Sequence, residues 1–180
     1  GCRSGDIAAY IRERLTVARQ DEPGWQLVEQ YEYRLPDGRL VGIKGRWHQP
    51  APDTPKGYNK RFAWRTPEGD WAGGLKSSGL SVADMPLYRS ERIPGHQGRI
   101  WFVEGERCVH ALEQQGEVAV CPAGSASQVN FGSALDALEG REVYIWPDND
   151  EPGRKLAETV ATLLRAKKCK VRRILAPVGV

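Results

Sequence analysis

The sequence predicts an α/β protein: a parallel sheet with flanking helices, preceded by a small, basic, mainly antiparallel α+β subdomain. Three observations point there. From residue 99 onward, short apolar runs alternate with stretches of helical spacing, the order expected of parallel strands joined by crossover helices. Before residue 99, apolar and polar residues alternate with period two, as in half-buried strands. The charge also changes sign between the halves. Residues 34–99 carry twelve Lys/Arg against six Asp/Glu, and residues 100–164 carry four against eleven. The predicted division is therefore 1–98 and 99–180.

Taken in order, Ile7, Tyr10, Ile11 and Leu15 recur at helical spacing after Asp6, a suitable cap. Asp21-Glu22-Pro23-Gly24 ends that helix. Trp25–Leu35 reads as a strand, Pro36-Asp37-Gly38 as a turn, and Leu40–Trp47 as the returning strand. His48–Gly57 is proline-rich and reads as an exposed loop. Lys60–Arg65 reads as a third strand with Phe62 and Trp64 on one face. Their alternation suits a β core, and lysines and arginines around them suit either solvent or a polyanion.

In the second half, Arg99–Val103 is an apolar run without alternation, as for a strand covered on both faces. A helical stretch to Gln115 follows, then a strand at Glu117–Val120, a short helix around Ser133–Leu138 and a third strand at Val143–Trp146. Pro152 then stands where a helix begins. Leu156, Val160, Leu163 and Leu164 continue the helix, Lys167 and Lys168 suit its negative end, and Val171–Leu175 is a fourth strand.

A 40% hydrophobic and 27% charged composition is that of a globular chain. No apolar run approaches the roughly 20 residues that span a bilayer. Gly1–Leu15 lacks the apolar core of a signal peptide, so the expected location is the cytoplasm, with no membrane partner. Cys2, Cys108, Cys121 and Cys169 form no C-x-x-C pair and read as free thiols.

Three acids follow predicted strands. Glu104 follows the first, and Asp148 and Asp150 follow the third. In open α/β sheets, chemistry collects beyond the carboxyl ends of strands. Clustered carboxylates suit a hard cation. Helix capping explains the same positions, because acids before a helix satisfy its first amides; spacing alone leaves both readings open. A calcium loop is excluded, because Pro152 and Thr159 fall where ligands are required. Gly74-Leu75-Lys76-Ser77 lacks the adjacent Gly-Lys of a phosphate-binding loop, and no G-x-S-x-G elbow is present.

Phe102-Val103-Glu104-Gly105-Glu106, then Pro122-Ala123-Gly124-Ser125-Ala126, then Val143-Tyr144-Ile145-Trp146-Pro147-Asp148-Asn149-Asp150-Glu151-Pro152-Gly153-Arg154-Lys155 resembles the Toprim domain over residues 99–176. That family includes bacterial-type primases, type IA and II topoisomerases, OLD-family nucleases and RecR-like proteins. The resemblance implies that Glu104 acts as general acid/base and helps bind metal, and that Asp148 and Asp150 bind Mg2+ or Mn2+. Glu106 lies at a variable position and receives no catalytic role. Arg154 and Lys155 open the next helix, near phosphates or simply in solvent.

Gly38–Arg46, Lys56-Gly57-Tyr58-Asn59, Lys76 and Pro86-Leu87-Tyr88-Arg89 resemble the basic subdomain that precedes Toprim in bacterial-type primases. This implies nucleic-acid or nucleotide contacts at Arg46, Lys56, Tyr58, Asn59, Lys60, Lys76 and Arg89. Lysines and arginines would neutralise phosphates, and Tyr58, Trp64 or Trp47 would stack on bases. The whole order is most like primase-helicase proteins of phages, plasmids and integrated elements. It implies a metal-dependent nucleotidyltransferase core making primers on single-stranded DNA from nucleoside triphosphates, with a replicative helicase domain or protein as a further partner. A Toprim nuclease and a non-catalytic nucleic-acid-binding module are the alternatives.

Two departures stand out. Cys108 occupies the position four residues after Glu104 where primase-like members usually carry an aspartate. Leu175–Val180 lacks the further acidic motif that follows the fourth strand in many members. The number of metals is left open, and the sequence is compatible with a piece of a longer protein.

Overall fold

The structure, a computed structural model, describes residues 24–124 and 130–174. The helix expected over Ile7–Leu15, together with Cys2, Ser125, Ala126 and Leu175–Val180, lies outside them. The chain divides into two compact units. Residues up to Tyr31 group with Gly42–Leu80, and Glu32–Val41 groups with the chain from Ser81 onward.

The first sheet is antiparallel, in the order β1 (Gln26–Arg34), β2 (Leu40–Pro50) and β3 (Tyr58–Arg65). The β2 strand is longer than expected. His48, Gln49 and Pro50 lie in the strand rather than the loop, with Gln49 opposite Asn59 and Pro50 opposite Tyr58. A proline is tolerated there because it is the last strand residue. Opposed residues share a face. Lys44, Arg46, His48, Tyr58, Lys60, Phe62 and Trp64 therefore lie on one side, and Gly45, Trp47, Arg61 and Ala63 on the other. Trp64 is buried, whereas Phe62 is half-exposed, with the Lys44 ammonium 4.6 Å from its ring centre.

The second sheet is parallel, in the order β5 (Ala119–Val120), β4 (Ile100–Phe102), β6 (Glu142–Ile145), β7 (Lys170–Arg173). Its helices are α1 (Glu106–Glu113) and α2 (Glu151–Ala166), and a 3-10 turn occupies Ala134–Leu138. The sheet is thus the expected α/β arrangement, with β5 reduced to two residues. Ile100, Phe102, Val143 and Ile145 meet Leu156, Val160 and Leu164 of α2 in one core.

One expected core position differs. Leu163 is 40% exposed while Leu164 is fully buried. Gly153, Leu156, Ala157, Val160, Ala161 and Leu164 define the buried arc of α2. At about 100° per residue, Leu163 lies roughly 100° from the centre of that arc. The other face of the sheet carries Trp101 and Tyr144, their ring centres 5.3 Å apart, and the exposed Trp146. It is not the uniformly apolar layer that unalternated strands suggest. Among the described residues no helix is long and apolar enough to cross a membrane.

The buried arc sets a stability contrast. Leu164→Ala should cost about 2–5 kcal/mol. Leu163→Ala should fall near the roughly 0.5 kcal/mol of surface changes. Urea denaturation of both variants checks the order.

Candidate functional site

The site begins with strand pairing. Phe102 at the end of β4 lies opposite Ile145 at the end of β6, and the Trp146 amide donates to the Phe102 carbonyl at 2.9 Å. The loops after both strands therefore leave the same sheet edge side by side. The Asp148 backbone amide donates to the Glu104 carboxylate at 2.9 Å, joining positions 44 apart in sequence. Asp150 caps α2, its Oδ1 accepting from the Gly153 amide at 2.8 Å.

Gly153 marks where the carboxylates of Glu104 and Asp150 meet the backbone of Asp148. A Cβ there would stand 2.3 Å from Glu104 Oε1, 2.7 Å from the Asp148 carbonyl oxygen and 3.0 Å from Asp150 Oδ1. Sequence reasoning missed this role. An unexplained glycine in the first turn of an otherwise good helix was the signal for it, because glycine weakens helices relative to alanine.

The two readings of the acids divide by residue. Asp150 does cap its helix. Glu104 does not cap α1, whose cap is Gly105 without a side-chain bond. Glu106 opens α1, is buried, and accepts from the Tyr33 hydroxyl at 2.6 Å. Burial, reinforced by Glu106, pushes the Tyr33 hydroxyl well above its ordinary pKa. This pair, 73 positions apart, ties the tip of the β1–β2 hairpin to the start of α1. No local sequence signal announces it.

Half-burial raises the Glu104 pKa. The Asp148 amide opposes that rise, and the Asp148 and Asp150 charges add to it. Burial also raises the Cys108 thiol, and the next contributions come from Asp148 and Glu104. The position four residues after Glu104 thus lies within electrostatic reach of the acids, although it holds a thiol.

Carboxylate oxygens of Glu104 and Asp150 and the backbone carbonyl of Asp148 surround a position with no side chain, and oxygen donors suit a hard divalent cation in kind. Among the described residues, no three acid, cysteine or histidine side chains stand ready-arranged around an ion. Mg2+ does not need that, since it commonly takes one or two carboxylates and completes its shell with waters and substrate phosphates. Glu104, Asp148 and Asp150 are the residues that would hold it.

The residues expected to meet nucleic acid are distributed. Arg46, Tyr58 and Lys60 share one face of the first sheet. Arg46 donates to His48 Nε2 at 3.0 Å, and Tyr58 stacks on His48 with ring centres 3.8 Å apart. Asn59 lies on the opposite face. Lys56 is exposed in the loop before β3, and Lys76 is exposed in a 3-10 turn. Arg89 belongs to the second unit, with its Nε 3.1 Å from Glu113 Oε1 but without hydrogen-bond alignment.

No protein-family model and no curated protein matches this sequence. Solved structures do, primases among them. The Aquifex aeolicus primase, in its zinc-binding and RNA polymerase domains, is 21% identical with a TM-score of 0.54, over 99% of this chain and 44% of that one. A DnaG primase catalytic domain bound to single-stranded DNA is 24% identical with a TM-score of 0.53, over 84% and 44%. A DnaG catalytic core is 26% identical with a TM-score of 0.51, over 84% and 45%. The fold is that of bacterial primase catalytic cores containing a Toprim domain, as the sequence motifs implied. The chain spans less than half the length of the primases it matches.

Two outcomes follow. Gly153→Ala should lower the melting temperature, reversing the usual gain of about 1 kcal/mol for glycine to alanine in a helix, because the new methyl displaces Glu104. Thermal melts with and without chelator check this. The raised Glu104 pKa means the folded state holds this proton more tightly than the unfolded chain. Its contribution is fully present below the ordinary glutamate range and is lost as pH rises through the higher folded value. In chelator, Glu104→Gln should therefore melt slightly above the native chain at neutral pH, with the difference vanishing under acid. Paired melts across pH read this directly.

Proposed function

We propose that this chain is the catalytic core of a primase-type nucleotidyltransferase that makes primers on single-stranded DNA in the cytoplasm, in replication of a mobile element. The observation that carries the reading is the meeting of Glu104, Asp148 and Asp150 at Gly153, within a fold shared with primase cores. Divided by role, residues 1–98 hold the template and residues 99–180 carry the chemistry. A replicative helicase domain or protein is the proposed partner.

In this reading, Arg46, Lys56, Lys60, Lys76 and Arg89 neutralise phosphates of template or nucleotide, while Tyr58 and Asn59 contact the strand. Asp148 and Asp150, with Glu104, hold Mg2+ or Mn2+. The metal when bound supplies charge neutralisation for the triphosphate. Glu104 accepts the proton of the attacking 3′-hydroxyl. The 3′-oxygen bonds to the α-phosphorus, and the bond to the leaving diphosphate breaks. The Asp148 amide keeps Glu104 oriented.

Cys108 in place of an acid favours a second reading: a nucleic-acid-binding module without catalysis. Calorimetric titration separates the two. Mg2+ or Mn2+ binding that disappears in Asp148→Ala supports the enzyme, and no binding at millimolar ion supports the module.

The direct test is primer synthesis on single-stranded DNA with each divalent ion. Asp148→Ala should reduce synthesis by at least about 100-fold, the scale of a single electrostatic catalytic group, while DNA affinity stays near native. Equal synthesis by the variant would end the assignment. Strand cleavage without nucleotides would instead indicate a Toprim nuclease.

A further inference from the structure

The first sheet has a second face that, of the proposed strand contacts on β2 and β3, carries only Asn59. Gly45, Trp47, Arg61 and Ala63 lie on it. Trp71 joins them through the pairing of Trp64 with Ala72, whose two backbone hydrogen bonds are 3.0 and 2.8 Å. Trp71 and Trp47 meet edge to face with ring centres 5.9 Å apart. Gly45 makes this possible, since a Cβ there would stand 2.8 Å from the Trp71 ring and 2.9 Å from Trp47 Nε1. The Arg61 guanidinium lies 4.5 Å from the Trp25 ring centre and 5.6 Å from that of Trp47, and Arg65 lies 5.3 Å from that of Trp71.

Between these side chains is a cavity of about 240 Å³, lined by Trp47, Arg61, Ala63, Trp71, Ala72 and Ser77 among others. Ligand pockets for drug-sized molecules start near 300 Å³, so this one suits a smaller planar group. Trp47 is 8% exposed, and its indole N–H has no hydrogen-bond partner among the described residues. Aromatic walls select a π face, and Arg61 at the wall selects an anion beside the ring. A nucleobase carrying its phosphate has both.

We infer that this cavity is a nucleobase-binding site, one that takes a base turned out of a single strand. The identity of that strand as template rests on the proposed function; the chemistry of the cavity does not. A strand base and a free nucleotide share the recognised group, so the test includes both.

The full chain is titrated with a short oligothymidylate carrying one central 2-aminopurine, with the same strand bearing an abasic site there, and with free 2-aminopurine nucleotide. The expected result is quenching of the 2-aminopurine in the strand and weaker binding of the abasic strand. Ala63→Leu fills the cavity and should abolish the quenching. It should also weaken strand binding by about 5- to 150-fold, the loss of a single base–aromatic stack. Trp71→Ala removes one aromatic wall and should weaken binding in the same direction, which tests the site if the leucine variant does not fold. Quenching of the free nucleotide that competes with the strand would assign the cavity to a nucleotide base, and the site would stand without the template. Native affinity and quenching in both variants would overturn the site while leaving the proposed enzyme intact. Lack of binding to either ligand would also overturn it.

Discussion

The hydrogen bond from the Asp148 amide to the Glu104 carboxylate is the contact on which the candidate site depends. It exists because β4 and β6 run parallel, side by side and in register, so two loops distant in sequence emerge at one edge. An antiparallel pairing would send them to opposite ends of the sheet. The bond fixes the orientation of one acid and brings a second close. Burial raises the Glu104 pKa, and the Asp148 and Asp150 charges add to that rise. A divalent ion would offset those like charges.

The helix that follows serves both stability and chemistry. Val160 and Leu164 anchor it in the core. Its first turn comes up against the acids, where Gly153 gives up helix propensity to leave room for them. Asp150 caps that turn and stands in the cluster. Capping and metal binding are not rivals at this residue, because a carboxylate has two oxygens and the cap engages Oδ1. Glu106 is a different case. It is buried and bound to Tyr33, so its carboxylate holds the chain together instead of facing substrate.

The first sheet separates its chemistry by face. Cations gather with Tyr58 and Phe62 on one side, while indoles alternate with guanidiniums on the other. Period two imposes this division: a one-residue shift in register would mix the two sets. Lysine and arginine stems lie over rings on both faces, which covers apolar surface while keeping charge within reach of a polyanion.

The sequence alone was enough to determine the alternation of strands and helices after residue 99 and the period-two strands before it, and it offered the three acids as candidates. Each is a local pattern, or a motif whose spacing the chain itself displays. It did not show that β2 runs on through Pro50, because a terminal proline looks like a loop. Nor did it show that Leu163 turns outward while Leu164 is buried, since helical spacing admits both and only the direction of the neighbouring sheet chooses. The convergence on Gly153, the Tyr33–Glu106 tie and the unpartnered Trp47 N–H were decided by tertiary structure. Each joins groups through space, and no rule of local spacing encodes which distant backbone or side chain will arrive there.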